Sequence, residues 1–304
     1  MLKKQEKLHI DLHMHSHYSP DGEFSPAELM AQCRDAGLRT VSLTDHNSVK
    51  GVAEAVNAGQ KLGLTVLPGM ELDCECKGVH LHLLGYCCSG VDDAVAEIEE
   101  DFTRQDREAG RRRMRKIREF GIVIDERKVE ALAAETLAGV ITVEIITETF
   151  LADPRNREHP LVRPYLAGGP RSDNPFVNFY WDHCAPGKPG YCPMDLVSFE
   201  KANDLIRSHG GFSVIAHPRV TVKRDEALIG YMAGCGVEGM EVYCSYHSPE
   251  DAAYYSEIAA RYGLFSSIGS DYHGKTKPSV KLGVVPGNPD QGGLSTRIER
   301  YSRA

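Results

Sequence analysis

Strand-like runs that end in histidine or a carboxylate recur along this chain, separated by helical stretches, and that recurrence restricts the fold more than any other feature. The first run, Leu8-His9-Ile10-Asp11-Leu12, closes on His13-Met14-His15. Two imidazoles two apart on a strand share a face, so such a pair grips one metal ion from one side. A β-branched run, Thr40-Val41-Ser42-Leu43-Thr44, ends at Asp45-His46; residues 65–71 end at Glu71, and residues 79–85 carry His82. After a long interruption, Phe212-Ser213-Val214-Ile215-Ala216 closes on His217-Pro218, residues 239–243 follow, and residues 264–270 lead into Asp271-Tyr272-His273. Seven strands are counted in this way, and their alternation with helices predicts a parallel α/β sheet.

Helix signals fill the intervals. Ser25-Pro26-Ala27-Glu28 is a capping box with proline at the first helical position, and Gly37 stops that helix. Further helices are expected over 48–62, over 199–209 ahead of Gly210-Gly211, and from Ser248-Pro249-Glu250-Asp251 onward. The rhythm breaks at Cys87, where long helical patterns give way to Pro- and Gly-rich connections. The expected organisation is therefore a barrel in two parts, residues 1–88 and 194–304, with a helical cap inserted over 89–193. A chain of 304 residues exceeds a single core of roughly 100–200 residues but suits one barrel with an insertion. Within the insertion, Arg104, Arg107, Arg111, Arg115 and Arg118 recur at spacings of three and four. Such a stripe reads first as a solvated helix face.

The formal net charge of −8 argues against an extended nucleic-acid or anionic-membrane surface. No apolar stretch of signal-peptide length follows Lys3, Lys4 and Lys7, and no run approaches the roughly 20 apolar residues of a membrane span. A cytoplasmic location is expected. Nine cysteines without repeated CxxC pairing fit free thiols in a reducing compartment.

Divalent ions of hard or borderline character take imidazole nitrogen and carboxylate oxygen, and α/β barrels present such groups at the carboxyl ends of their strands. His13, His15, His46, Glu71, His82, His217, Asp271 and His273 fall at those positions, with Asp21 in the first loop. The motifs Asp11-Leu12-His13-Met14-His15-Ser16, Thr44-Asp45-His46, Gly69-Met70-Glu71, His82-Leu83-Leu84-Gly85, Ile215-Ala216-His217-Pro218 and Gly269-Ser270-Asp271-Tyr272-His273 together carry a resemblance. The chain resembles the polymerase and histidinol phosphatase (PHP) family of metal-dependent phosphoesterases, across its length apart from the insertion. That resemblance implies a distorted (β/α)7 barrel with a mainly helical cap. It also implies two to three divalent ions, manganese, iron or zinc: one held by His13, His15, Glu71 and Asp271, a second by Glu71 as a bridge with His82 and His217, and a third by Asp21, His46 and His273. The family reads Ser-Asp-Gly after the histidine pair, whereas Ser19-Pro20-Asp21-Gly22 here has an extra residue.

Clustered ions activate water and brace a phosphoryl group, so the expected nucleophile is a metal-bridging hydroxide. Ser16, Ser19 and Ser270 show no Ser-His-Asp arrangement. His247, left over by the ligand count, is the expected proton donor to the leaving oxygen, and Arg219, directly after His217-Pro218, the expected catalytic and phosphate-binding cation. Lys188, in a Gly-Lys-Pro-Gly-Tyr segment similar to one in insertion-bearing relatives, joins His183 and Arg111 or Arg115 as cap groups expected to reach substrate. His9, His17, His80, His159 and His209 are assigned surface or hydrogen-bonding roles, with His80 the nearest rival of His82. Glu241 stays open between a structural acceptor and a strand-end polar group.

The resemblance implies hydrolysis of a small-molecule phosphate ester of ribose or a nucleotide, such as AMP or a nucleoside 3',5'-bisphosphate. A five-membered cyclic phosphodiester of ribose phosphate is the close alternative. Histidinol phosphatase and a noncatalytic PHP module are the others.

Overall fold

The computed structural model describes residues 8–287 and 289–301, so Lys3, Lys4 and Lys7 lie outside it. Its strands are β1 (Ile10–Asp11), β2 (Thr40–Leu43), β3 (Thr65–Cys76), β4 (Val79–Tyr86), β5 (Val197–Ser198), β6 (Phe212–Ile215), β7 (Gly239–Cys244) and β8 (Phe265–Gly269). They form one sheet in the order β1-β2-β3-β4-β6-β7-β8, with the short β5 added to the far end of β3. Leu12 N donates to Ile268 O at 2.9 Å and Met14 bridges Tyr272, so β1 returns beside β8 and the seven-stranded path nearly closes into a barrel.

The parallel expectation fails at β4, which runs antiparallel to both β3 and β6. The reason is local. Lys77 and Gly78 both adopt positive φ, 51° and 81°, the backbone of a tight two-residue hairpin turn, and two residues can only reverse the chain.

Helices α1 (Pro26–Ala36) and α2 (Val52–Lys61) follow the first two strands. Ser25 and Glu28 close the predicted capping box, and Gly37 at φ 83° ends α1. The excursion between β4 and β5 holds the α-helices α3 (Asp92–Glu119), α4 (Glu126–Glu135), α5 (Val143–Leu151) and α6 (Pro175–Phe179), with shorter helical turns at Pro154–Asn156, Arg163–Tyr165 and Tyr180–Cys184. The chain returns through α7 (Phe199–Ser208), α8 (Glu226–Gly234), α9 (Pro249–Arg261) and α10 (Gln291–Tyr301).

Two kinds of core result. Met70, Leu72, Leu83, Ile215, Met240 and Val242 bury the sheet against α7, α8 and α9. The excursion has its own apolar cluster, in which Met114, Ile117, Val129, Ile146, Phe150 and Phe179 meet. Burying each such side chain is worth roughly 1.5–3 kcal/mol. Helix α3 turns Asp106, Ala109, Gly110, Met114 and Ile117 inward, and a Cβ on Gly110 would stand 2.8 Å from that of Ile141, so glycine sets how closely helix and loop approach. Arg104, Arg107, Arg111, Arg115 and Arg118 all lie exposed on the other side. All nine cysteines are free thiols. Among the described residues no helix is long and apolar enough to cross a membrane.

Candidate metal centre

The carboxyl ends of the strands meet at one mouth of the barrel. His13 and His15 leave β1 on a shared face, with Met14 between them turned into the core beside Cys33, 3.5 Å away through sulfur. His46 follows β2, and its backbone bridges that of Glu71 within β3. His82 lies in β4, His217 follows β6, and Asp271 and His273 follow β8. His13, His15 and Glu71 are fully buried, and His217, Asp271 and His273 are nearly so. Carboxylates removed from water this completely require cations to compensate them.

Glu71 is the hub. Its Oε1 stands 3.0 Å from His82 Nδ1 and 3.1 Å from His217 Nε2. Its Oε2 stands 3.1 Å from His13 Nε2, 3.2 Å from His15 Nε2 and 3.2 Å from His46 Nδ1. The two oxygens of one carboxylate thus face two separate sets of imidazoles. Asp271 Oδ1 adds a second acid to one set, 3.3 Å from His13 Nε2 and 3.2 Å from His15 Nε2. Asp21 Oδ2 approaches His273 Nε2 to 3.3 Å, and the His273 ring stacks on His15 at 3.9 Å.

Side chains behind this cluster fix its orientation. Glu241 Oε1 sits 3.0 Å from His13 Nδ1 while Oε2 accepts from the His217 backbone N–H at 2.8 Å. Glu241 is therefore a structural acceptor, which turns His13 Nε2 inward. His15 Nδ1 meets Ser19 Oγ at 3.0 Å, and Ser19 donates to Asp45, which also accepts from Ser16 N–H and Oγ–H at 2.7 Å each. Asp45 thereby orders the first loop and does not enter the cluster.

Protonation follows the same crowding. Burial disfavours a His13 cation, yet Glu71, Glu241 and Asp271 outweigh it and hold His13 well above the ordinary imidazole range. His82 is raised in the same way by Glu71 and Asp73 against its burial. Burial lowers His46 and His217, which stay below the ordinary range. Burial would raise Glu71, but His13 and His82 hold it well below; Lys277 and His13 do the same for Asp271.

Four sets of side chains bring ligating atoms within 4.8 Å of one another: His13, His15, Glu71 and Asp271; Glu71, His82 and His217; His15, His46 and His273; and His46, Asp73 and His82. Asp21 Oδ1, His46 Nδ1, Glu71 Oε2 and His273 Nε2 are buried without a hydrogen bond among the described residues. Orphaned lone pairs aimed at common points are what a divalent-ion site requires, so these residues fit the ions the sequence implies. Asp73 was not singled out in sequence. It lies 3.0 Å from His82 Nε2 and shares a strand face with Glu71, so the period-two spacing Glu71-x-Asp73 was the available signal.

The mouth opens into a cavity of ≈ 210 Å³ roofed by the excursion. Lys277 and Tyr246 reach it from the barrel, Lys277 through an ion pair with Asp271 Oδ2 and 5.2 Å from the Tyr246 ring. Burial opposes the Lys277 cation, but Asp271 outweighs it and holds it above the ordinary range. From the roof come Arg113, Asp106, Glu144, Phe102, Tyr180 and Trp181. None of these was identified in sequence.

The expected substrate groups are placed elsewhere. Arg219 points outward, half exposed, with Nε 2.9 Å from Asp251 Oδ2. His247 is buried with Nδ1 2.7 Å from Val242 O and its ring stacked on Tyr255 at 4.8 Å, facing α9 instead of the cavity. Lys188 stands exposed in the turn after the last helical turn of the excursion. His183 packs on Phe179 at 4.8 Å, half-buried against the excursion's own core and outside the cavity lining. Arg111 and Arg115 lie on the outer face of α3, since two residues of helix separate Arg111 from Arg113 by about half a turn. His80 lines the cavity beside Tyr191 Oη, 3.2 Å away, without joining any of the four sets.

Residues 11–143 match the PHP domain family. A 3',5'-nucleoside bisphosphate phosphatase of Chromobacterium violaceum is 30% identical over 267 residues, 87% of either chain. A phosphoribosyl 1,2-cyclic phosphate 1,2-diphosphodiesterase of Eggerthella lenta is 27% identical over 272 residues, 87% of this chain and 94% of its own. A solved structure described as an amidohydrolase from Chromobacterium violaceum, with bound sulfate and no metal, superposes with a TM-score of 0.76 at 26% identity over 95% of this chain and 96% of that one. With the nearly closed barrel and the histidine and carboxylate cluster at its mouth, these likenesses place the chain in the PHP family of metal-dependent phosphoesterases.

Proposed function

We propose that this chain hydrolyses a small phosphate ester of a ribose or nucleotide and releases orthophosphate. The observation that carries the reading is Glu71, whose two oxygens face separate imidazole sets at the floor of a roofed cavity. His13, His15, Asp21, His46, Glu71, His82, His217, Asp271 and His273 would hold two to three divalent ions, with Asp73 as a further donor to the set containing His46 and His82. Manganese, iron and zinc all suit such donors. When bound, ions of this kind lower the pKa of water and stabilise the charge on a phosphoryl group.

The chain's own residues do the rest. Glu241 holds the His13 ring so that Nε2 faces Glu71 and Asp271, where it would serve a bound ion, and Nδ1 faces away. Lys277 keeps a positive charge beside Asp271 and serves the equatorial oxygens of the phosphoryl group. Phe102, Val177, Tyr180 and Trp181 in the roof displace part of the water over the floor, which strengthens the charge interactions there.

A cyclic phosphodiester of ribose phosphate is the second reading, favoured by the similarity to the diphosphodiesterase. Phosphate release by metal-reconstituted protein from ribose monophosphates, mononucleotides and cyclic phosphodiesters separates the two. Metal-loaded protein that releases phosphate from none of these compounds would end the phosphoesterase reading.

A further inference from the structure

The floor and the roof of the cavity differ in charge, and the difference bears on what the leaving part of the substrate carries. Resting on the phosphoesterase reading, we infer that the cap selects an ester with a single phosphoryl group and an uncharged, ring-bearing organic part, and that Glu144 turns a second anion away.

Among the described residues that line the roof, Arg113 is the one cation. It is already committed. Arg113 pairs with Asp106, which is only 4% exposed, donates through Nη1 to Ile141 O at 3.1 Å, and sets Nη2 3.3 Å from Met194 Sδ. Drawing that guanidinium onto a phosphate would strand a buried carboxylate. Lys188, Arg111 and Arg219 all lie outside the lining. His80 reaches the cavity with its ring already engaged by Tyr191 Oη, 3.2 Å away.

A second observation points the same way. The N-terminus of α5 faces the cavity, and a helix N-terminus is ordinarily where a phosphate would dock. Here the chain fills that position itself. Thr142 Oγ1 accepts from Ile145 N–H at 3.2 Å, and the Glu144 carboxyl is hydrogen-bonded to its own backbone N–H and to Thr142. Protonated, Glu144 adds no charge; ionised, it adds a negative one. In neither state does it attract an anion, and in both it accepts a hydrogen bond from a hydroxyl or amino group. Phe102, Tyr180, Trp181 and Tyr191 line the same cavity, a set of aromatic side chains suited to a planar group.

The test uses the full chain reconstituted with manganese or zinc. Its substrates are a nucleoside 5'-monophosphate, the 3',5'-bisphosphate of the same nucleoside, and phenyl phosphate. We expect kcat/KM for the monophosphate to exceed that for the bisphosphate by about tenfold, because a like charge set against an interface is costly. Glu144→Gln, nearly isosteric, narrows the ratio by lowering KM for the bisphosphate, with metal content unchanged. Preference of the native chain for the bisphosphate overturns the inference while leaving the phosphoesterase reading intact. An unmoved ratio in Glu144→Gln overturns the part given to Glu144. Release from none of the three esters by metal-loaded protein removes the underlying reading, and this one with it.

Discussion

The barrel mouth buries imidazoles and carboxylates against one another, whereas the cap wall opposite buries one ion pair among apolar and aromatic side chains. The floor is held by strands whose core lies behind it, so its polar side chains can be crowded beyond what they would tolerate by themselves. The roof is held by its own cluster around Ile117, Ile146 and Phe150, and the cavity is the face that cluster leaves over. The floor's donors suit divalent ions, which would complete it, and the roof offers no comparable set among the described residues. A substitution on one side should therefore be read in metal content, and on the other in folding stability or selectivity.

Glu71→Ala is expected to have the largest effect. Both of its oxygens vanish, so the two imidazole sets lose their common partner. We expect metal content and kcat to fall together, kcat by roughly a thousandfold, the worth of several kcal/mol of transition-state charge stabilisation. Elemental analysis beside steady-state rates checks this, and full metal occupancy with normal turnover would break the contrast between floor and roof.

The floor was legible in sequence because strand-end positions and a period of two are local properties. Glu71 and His82 could be placed by reading forward from each apolar run. Asp73, two residues beyond Glu71 on the same strand face, is the member that reading leaves out. The roof was not legible, because which face of α3 meets the barrel is set by tertiary packing. The spacing that draws the eye, Arg104 to Arg118, marks the solvated face; the inward face is written as Asp106, Ala109, Gly110 and Arg113, with small residues where the helix approaches its neighbour. Likewise the alternation of strands and helices could not show that Lys77-Gly78 reverses the sheet direction at β4. Nor could the neighbourhood of His247 in sequence show that its ring turns toward Tyr255.

Next in size is the pair in the roof. Arg113→Met leaves Asp106 buried without its cation, and removal of one partner of such a pair costs about 3–5 kcal/mol. Chemical denaturation should show that loss, while the double substitution Asp106→Leu with Arg113→Met recovers most of it. Metal content should hold in all three proteins, and a fall in metal content would tie the roof to the floor more closely than the geometry does.

Glu144 gives a pH-dependent version. Burial, then Asp21, pushes its carboxyl from 4.5 up to about 7 in the metal-free fold. Between those values the folded state binds more protons than the unfolded state, so this group's contribution makes stability fall as pH rises through the window. The full effect is up to roughly 3 kcal/mol above pH 7 and absent below 4.5. Stripped of ions, Glu144→Gln should therefore gain thermal stability over the native chain at pH 8 and little at pH 4. An equal gain at both values would mean that Glu144 is not protonated differently by folding.

The smallest expected effect belongs to Arg219, and it decides how far the barrel mouth extends. Its Nε lies 2.9 Å from Asp251 Oδ2 on a side chain that is 52% exposed, and Asp251 is also the carboxylate that closes the capping box of α9. An exposed pair of this kind is worth about 0–1 kcal/mol. Removing the guanidinium leaves the cap bond between Ser248 and Asp251 in place, so α9 should keep its start. Arg219→Ala should then change kcat/KM by less than about twofold, within the same range of worth. A tenfold fall, with metal content intact, would mean that Arg219 exchanges Asp251 for the phosphoryl group once substrate is bound, and that the cationic floor reaches beyond the cavity wall into the loop after β6.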